Sequence, residues 1–200
     1  IFLWGTLALL TRLTEGRIPP FQMMAMTFAL SFSLMSLNWW RQGHLGLKHL
    51  RQPKLAWILG VGGYLGYHFC YFVAMTKAPA VTVSLLAYMW PLLIVLLAGF
   101  LPEEKRLKRH IVGAVIALYG CWLLIGEGNA SFNSEYLTGY LLAICCTFIW
   151  SGYSVLSRQL KQVSADAAGW FCAVTALLAL ICHLLWETTL WPETISQWIG

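Results

Sequence analysis

Between Lys54 and Pro102 the chain reads KLAWILGVGGYLGYHFCYFVAMTKAPAVTVSLLAYMWPLLIVLLAGFLP, and Lys54 and Lys77 are its only charged residues. An apolar run of this length crosses a bilayer twice, at about 20 residues per crossing. Lys77-Ala78-Pro79 supplies the tight connection, because Pro cannot continue a helix interior. The segment therefore predicts two antiparallel membrane helices, one over about 55–76 and one over about 80–101.

The same punctuation divides the rest of the chain. Ile1 to about Thr14 reads as the end of a first span, closed by the turn Glu15-Gly16-Arg17-Ile18-Pro19-Pro20. A second span runs over about 21–40 and ends at Trp39-Trp40. The fifth, sixth and seventh occupy about 111–126, 137–157 and 167–186. The chain opens at Ile1 in apolar sequence, with neither a Met nor a charged leader, so no signal peptide is read and further sequence is expected before it. Composition agrees with seven spans. The 200 residues are 59% hydrophobic and 10% charged, where a soluble domain carries about 25% charged residues. Disorder, a fibrous repeat and an ordinary cytosolic enzyme are excluded.

The net charge of +5 belongs to topology rather than to nucleic acid. The connections 41–54, 102–110 and 158–166 hold 4, 4 and 2 Lys or Arg, ten of the thirteen in the chain. The intervening connections hold Arg17 and Lys77, and the linker Glu127 to Tyr136 holds none. The positive-inside rule places the three basic connections in the cytoplasm. The six cysteines, Cys70, Cys121, Cys145, Cys146, Cys172 and Cys182, fall inside apolar runs without CxxC spacing, and read as small buried hydrophobes rather than as metal ligands or a disulfide framework.

A weak internal repeat is present. Phe2-Leu3-Trp4-Gly5 aligns with Phe148-Ile149-Trp150-Ser151, and Thr11-Arg12 with Ser157-Arg158 at the same offset. Five spans separate the copies, an odd number, so the second copy is inverted in the membrane. Inverted repeats mark secondary transporters, which rock one half against the other around a site near the midplane. A five-span second copy implies three further spans, roughly 75 residues, after Gly200.

Chemistry-bearing residues are few. All eight acids (Glu15, Glu103, Glu104, Glu127, Glu135, Asp166, Glu187 and Glu193) lie at or outside span ends, so no buried carboxylate marks an ion-driven pump. No paired acids, Ser/His pair or metal-ligand cluster stands within the spans, and neither a cofactor nor a bound metal is expected. His68 and His183 are the ionisable mid-span residues. Tyr64, Tyr67, His68 and Tyr71 share one helical face, with Gly62-x-x-x-Gly66 on the same helix able to admit a close neighbour. Such a stripe faces protein or a wet cavity rather than lipid; interhelical hydrogen bonding and a cavity wall both fit it. His183, alone among Leu and Cys, reads as structural. Tyr88-Met89-Trp90-Pro91 places a proline kink inside the fourth span, either a packing kink or a bend beside a site. Trp39, Trp40, Trp57, Trp170, Trp186, Trp191 and Trp198 fit an interfacial aromatic belt. Trp4, Trp90 and Trp150 lie deeper, where indole faces suit an ammonium or an apolar side chain and equally suit plain packing.

Together these residues resemble the drug/metabolite transporter superfamily, specifically its EamA-type ten-span members and, among those, the bacterial aromatic amino-acid exporter group. The resemblance rests on Leu3-Trp4-Gly5-Thr6, Gly66-Tyr67-His68, Tyr88-Met89-Trp90-Pro91, the run GAVIALYGCW from Gly113 to Trp122, and Phe148 to Tyr153. It implies an all-α integral membrane fold of ten helices in two inverted five-helix repeats, about seven helices being present here. Residues 1–126 would be the first repeat, 127–136 an extracytoplasmic linker and 137–200 the start of the second. It further implies a monomeric inner-membrane carrier, N-terminus cytoplasmic, that exports aromatic and other neutral amino acids by alternating access and binds no nucleic acid. Tyr67, His68, Tyr71, Tyr88, Trp90, Trp150 and Trp4 would line its cavity, with Pro91 as hinge. Another metabolite or drug as cargo, a membrane enzyme with its catalytic groups elsewhere, and a non-transporting sensor or assembly subunit are the rival readings.

Overall fold

A computed structural model describes residues 17–99, 107–127, 133–158, 160, 163–195 and 197. Seven helices order them: α1 (Pro20–Arg41), α2 (Lys54–Lys77), α3 (Ala80–Ala87), α4 (Trp90–Ala98), α5 (Leu107–Glu127), α6 (Leu137–Ser157) and α7 (Ala167–Trp186). Among the described residues, α1, α2, the α3–α4 pair, α6 and α7 are each long and apolar enough to cross a membrane. Their bounds fall within about three residues of the predicted spans, and the first predicted span lies outside the described residues. Leu30, Leu34, Ile58, Leu184 and Leu185 are each more than half exposed. Such apolar helix exteriors fit acyl chains as their solvent.

The chain divides into two compact units, 1–69 with 159–200, and 70–158. In the first, α1 and α7 pack along one another, and Ala56, Ala167 and Phe171 form a core with Trp57, Val61 and Tyr64 around it. The Phe171 ring lies against Gly60, where an added methyl would overlap it. Gly62, expected to admit a close neighbour, faces open space. The correction follows from helical phase, because Gly60 and Gly62 point about 200° apart around α2.

Both ends of the α1–α7 pair are tied. Pro20 opens α1 at a position where its missing N–H costs nothing. The next amides, Phe21 N–H and Gln22 N–H, donate to the Glu187 carboxylate at 3.1 Å each. Glu187, at the C-terminal end of α7, thus caps α1, satisfying orphan donors at the positive end of the helix. His183 Nδ1 lies 2.9 Å from the same carboxylate and its Nε2 2.9 Å from Thr189 Oγ1. Gln22 exchanges two hydrogen bonds with the Leu190 backbone. His183 is accordingly a structural residue. At the other end Trp39 is buried, stacked with His49 and Trp170, whereas Trp40 beside it and Trp186 at the Glu187 end are each 70% exposed. Trp39 therefore leaves the expected aromatic belt: Gly46, at φ +68°, lies directly over its ring, where any side chain would collide.

In the second unit α3 and α4 pack against α6, and α4 also against α5. Of the described cysteines Cys70 and Cys146 are buried and Cys145 is exposed; the five with described side chains are free thiols.

Candidate functional site

Helix α2 is continuous from Lys54 to Lys77, so Tyr64, Tyr67, His68 and Tyr71 do stand along one face of it. In the first unit His68 Nδ1 lies 2.9 Å from the Tyr64 carbonyl. A carbonyl only accepts, so Nδ1 carries the proton and Nε2 is the acceptor of the neutral ring. Phe28 of α1 meets the imidazole edge-on at 4.8 Å and Tyr67 does so at 5.1 Å. Phe28 also stacks on Tyr64, at 5.7 Å. His68 is therefore held in rotamer and tautomer by its own helix and by α1. Phe28 was not foreseen, because one Phe among the apolar residues of a span carries no mark of its partner.

The second unit holds Tyr71, Tyr88, Trp90 and Trp150. Tyr71 is buried, with Ser84 and Tyr88 as its polar neighbours. Trp90 and Trp150 meet edge-to-face with ring centres 6.5 Å apart, within the range favoured by the ring quadrupoles. Tyr153 continues the cluster, 5.3 Å from Trp150. Two of the predicted deep aromatics thus touch. Trp4 lies outside the described residues.

The fourth span is broken rather than merely bent. Helix α3 stops at Ala87 and α4 starts at Trp90, with Tyr88 and Met89 between them. Pro91 sits in the first turn of α4, where proline is favoured. Its absent N–H removes the ordinary donor to the Ala87 carbonyl four residues back. The replacement comes from α6: Thr147 Oγ1 lies 2.9 Å from Leu86 O and 3.2 Å from Ala87 O. One turn along, Ser151 Oγ donates to Trp90 O at 3.0 Å. Neither hydroxyl was among the candidates, although their i, i+4 spacing beside Trp150 is visible in the sequence as a polar edge on an apolar helix. An open apolar cavity of about 240 Å³ lies beside the break, lined by Leu86, Met89, Leu93, Ile144 and Phe148, with Thr147 as its polar member. None of the predicted cavity residues lines it.

Chemically the first unit offers one oriented imidazole among aromatic rings, and the second offers indole faces and hydroxyls. Among the described residues no group of three or more His, Cys, Asp or Glu could hold a metal.

Known proteins provide an independent comparison. A model of the EamA-like transporter family matches residues 1–126. The aromatic amino acid exporter YddG of Ancylobacter novellus is 44% identical over 202 residues, covering 100% of this chain and 69% of its own length. The pseudopaline exporter CntI of Pseudomonas aeruginosa is 28% identical, covering 79% of this chain and 54% of its own length. A solved crystal structure superposes with a TM-score of 0.84 at 42% identity, covering 99% of this chain and 68% of the other. The chain thus spans roughly half to two-thirds of the length of the proteins it matches.

Proposed function

The chain belongs to the EamA-like transporter family, and from that premise we propose that it is part of a carrier exporting aromatic and other neutral amino acids across the bacterial inner membrane. Transport family and transporter relatives together remove the membrane-enzyme alternative. The observation that supports the cargo is the Trp90–Trp150 pair beside a broken helix. Two indoles at right angles present both a face and an edge to a flat apolar side chain, and their faces attract an ammonium.

In this reading Tyr67, His68, Tyr71, Tyr88, Trp90, Trp150 and Trp4 line the substrate cavity, and His68 offers the ammonium an acceptor nitrogen, Nε2. Pro91 keeps span four in two pieces, so that α3 and α4 change angle during alternating access without breaking an i to i−4 bond at that step. The two five-helix repeats, 1–126 and the one beginning at 137, rock around the site.

Counterflow into liposomes tests this with the full-length protein, preloaded with unlabelled amino acids and offered labelled tryptophan, threonine or glutamate. Uptake of tryptophan and threonine but not glutamate supports the reading. His68→Ala and Trp90→Ala should each lower tryptophan flux by about tenfold, the size of one lost aromatic or hydrogen-bonded contact of about 1.4 kcal/mol, with membrane insertion intact. Unchanged flux in both variants would remove these residues from the site. A second cargo class is favoured by the pseudopaline exporter among the relatives: flux of a larger metabolite with none of the three amino acids would select it.

A further inference from the structure

The connection between α1 and α2 is built as a rigid element. It reverses through Gly43 and Gly46, at φ +77° and +68°, and forms a short 3-10 turn over Leu47–Leu50. Trp170 Nε1–H donates to Gly46 O at 2.9 Å, and Trp39 packs beneath the same glycine. His49 is buried against Trp39, with Nε2 3.5 Å from the Asp166 carboxylate, and Gln52 Nε2–H donates to His49 O at 3.2 Å.

What this scaffold presents outward is not what a water-exposed loop carries. Leu45 is 71% exposed, Leu47 58% and Leu50 39%, next to Trp40 at 70%. Interleaved with them are Arg41, Lys48, Arg51 and Lys54, all exposed, with no acid in the segment. None of the four cations makes an ion pair or side-chain hydrogen bond among the described residues. Exposed leucines beside unpaired cations, at the ends of two membrane-length helices, match one surface: the glycerol–phosphate zone of an anionic bilayer. Leucines and Trp40 suit its apolar depth, and the cations suit its phosphates.

We propose that residues 40–54 form an interfacial foot that seats on anionic phospholipid headgroups. The four cations hold phosphate, and Leu45, Leu47 and Leu50 enter the acyl boundary. The rigid scaffold beneath presents both sets together without ordering a loop on contact. This goes beyond the cargo reading and does not depend on it.

Hydrogen exchange tests the foot with the full-length protein in nanodiscs. The bilayers are phosphatidylcholine alone, or phosphatidylcholine with phosphatidylglycerol. Amides 44–52 should exchange more slowly with phosphatidylglycerol, by at least about fivefold, the factor that one cation's attraction supplies. High salt should reverse the slowing, because the charges are screened. Arg41→Gln/Lys48→Gln/Arg51→Gln/Lys54→Gln should abolish it while α1 and α7 keep their exchange pattern. Where the fourfold variant fails to insert, Lys48→Gln/Arg51→Gln carries the comparison and should reduce the slowing. Equal exchange in both bilayers overturns the proposal, as does slowing that survives loss of the cations. Slowing by soluble glycerol phosphate in the phosphatidylcholine disc also overturns it, since a phosphate pocket rather than a lipid surface would then be responsible. Transport is not read, so failure here leaves the exporter assignment unaffected.

Discussion

Thr147 reaches the backbone of another span with a side chain of three heavy atoms. Its hydroxyl carries one proton and lies within reach of Leu86 O, Ala87 O and its own helix's Ala143 O. The Ala87 carbonyl matters most, because Pro91 has removed its helical donor. Thr147→Val keeps the shape and deletes the donor. It should destabilise the purified protein by about 1 kcal/mol, between the average for interhelical hydrogen bonds in membranes and the cost of an unsatisfied buried carbonyl. Thermal melting in detergent reads this, and Thr147→Ser should recover it; a valine variant as stable as the parent means that the carbonyl has another donor. Glu187 carries more, since it accepts two amides of α1 and faces His183. Glu187→Ala uncaps α1 and strips a buried imidazole of its partner, at about 2 kcal/mol. Its melting temperature should fall further than that of Thr147→Val, and an equal or smaller fall would show that the cap is dispensable.

At the scale of the helix, span four shows what a sequence discloses and what it withholds. The ends of α7, Ala167 and Trp186, were legible because polar residues bound an apolar run on both sides. The interruption in span four was legible too, as a proline, but its position was not. A proline disturbs the turn before it and is comfortable in the first turn of a new helix, so the break falls at Tyr88 and Met89 rather than at Pro91. Trp39 was misplaced for a related reason: a tryptophan at a span end looks the same whether it meets headgroups or lies under a glycine seven residues later. Of the candidate site, Trp90 and Trp150 were legible, with Trp4, as deep indoles, but the contact between them was not; like Phe28, Thr147 and Ser151, it depends on which helix each span packs against. Replacing Pro91 by Ala isolates the break. It returns an N–H that can reach Ala87 O, so 80–98 can close into one helix. Flux should fall severalfold while melting temperature holds or rises, which separates a hinge from a packing defect. Loss of both flux and stability would make Pro91 a packing residue only.

For the whole molecule, the distribution of charge makes a prediction that packing alone cannot. Ten of thirteen cations occupy the connections after spans two, four and six, and orientation follows from that bias. With the repeat read from the sequence, the odd number of spans between its copies predicts that the second is inverted. Alkaline phosphatase fusions to the full-length protein, truncated at chosen points, read the arrangement directly because the enzyme is active only outside the cytoplasm. Fusions after Leu47 and after Ala165 should be inactive, and fusions after Asn133 and after Thr189 active. Those four points bracket spans three to five, span six and span seven, so one reversed result identifies which segment fails to cross. Activity at Leu47 with inactivity at Asn133 would turn the whole molecule over. It would also place the interfacial foot in the outer leaflet. Equal activity at Asn133 and Ala165 would remove span six as a crossing, and the inverted repeat with it, since the copy beginning at 137 would no longer oppose the first.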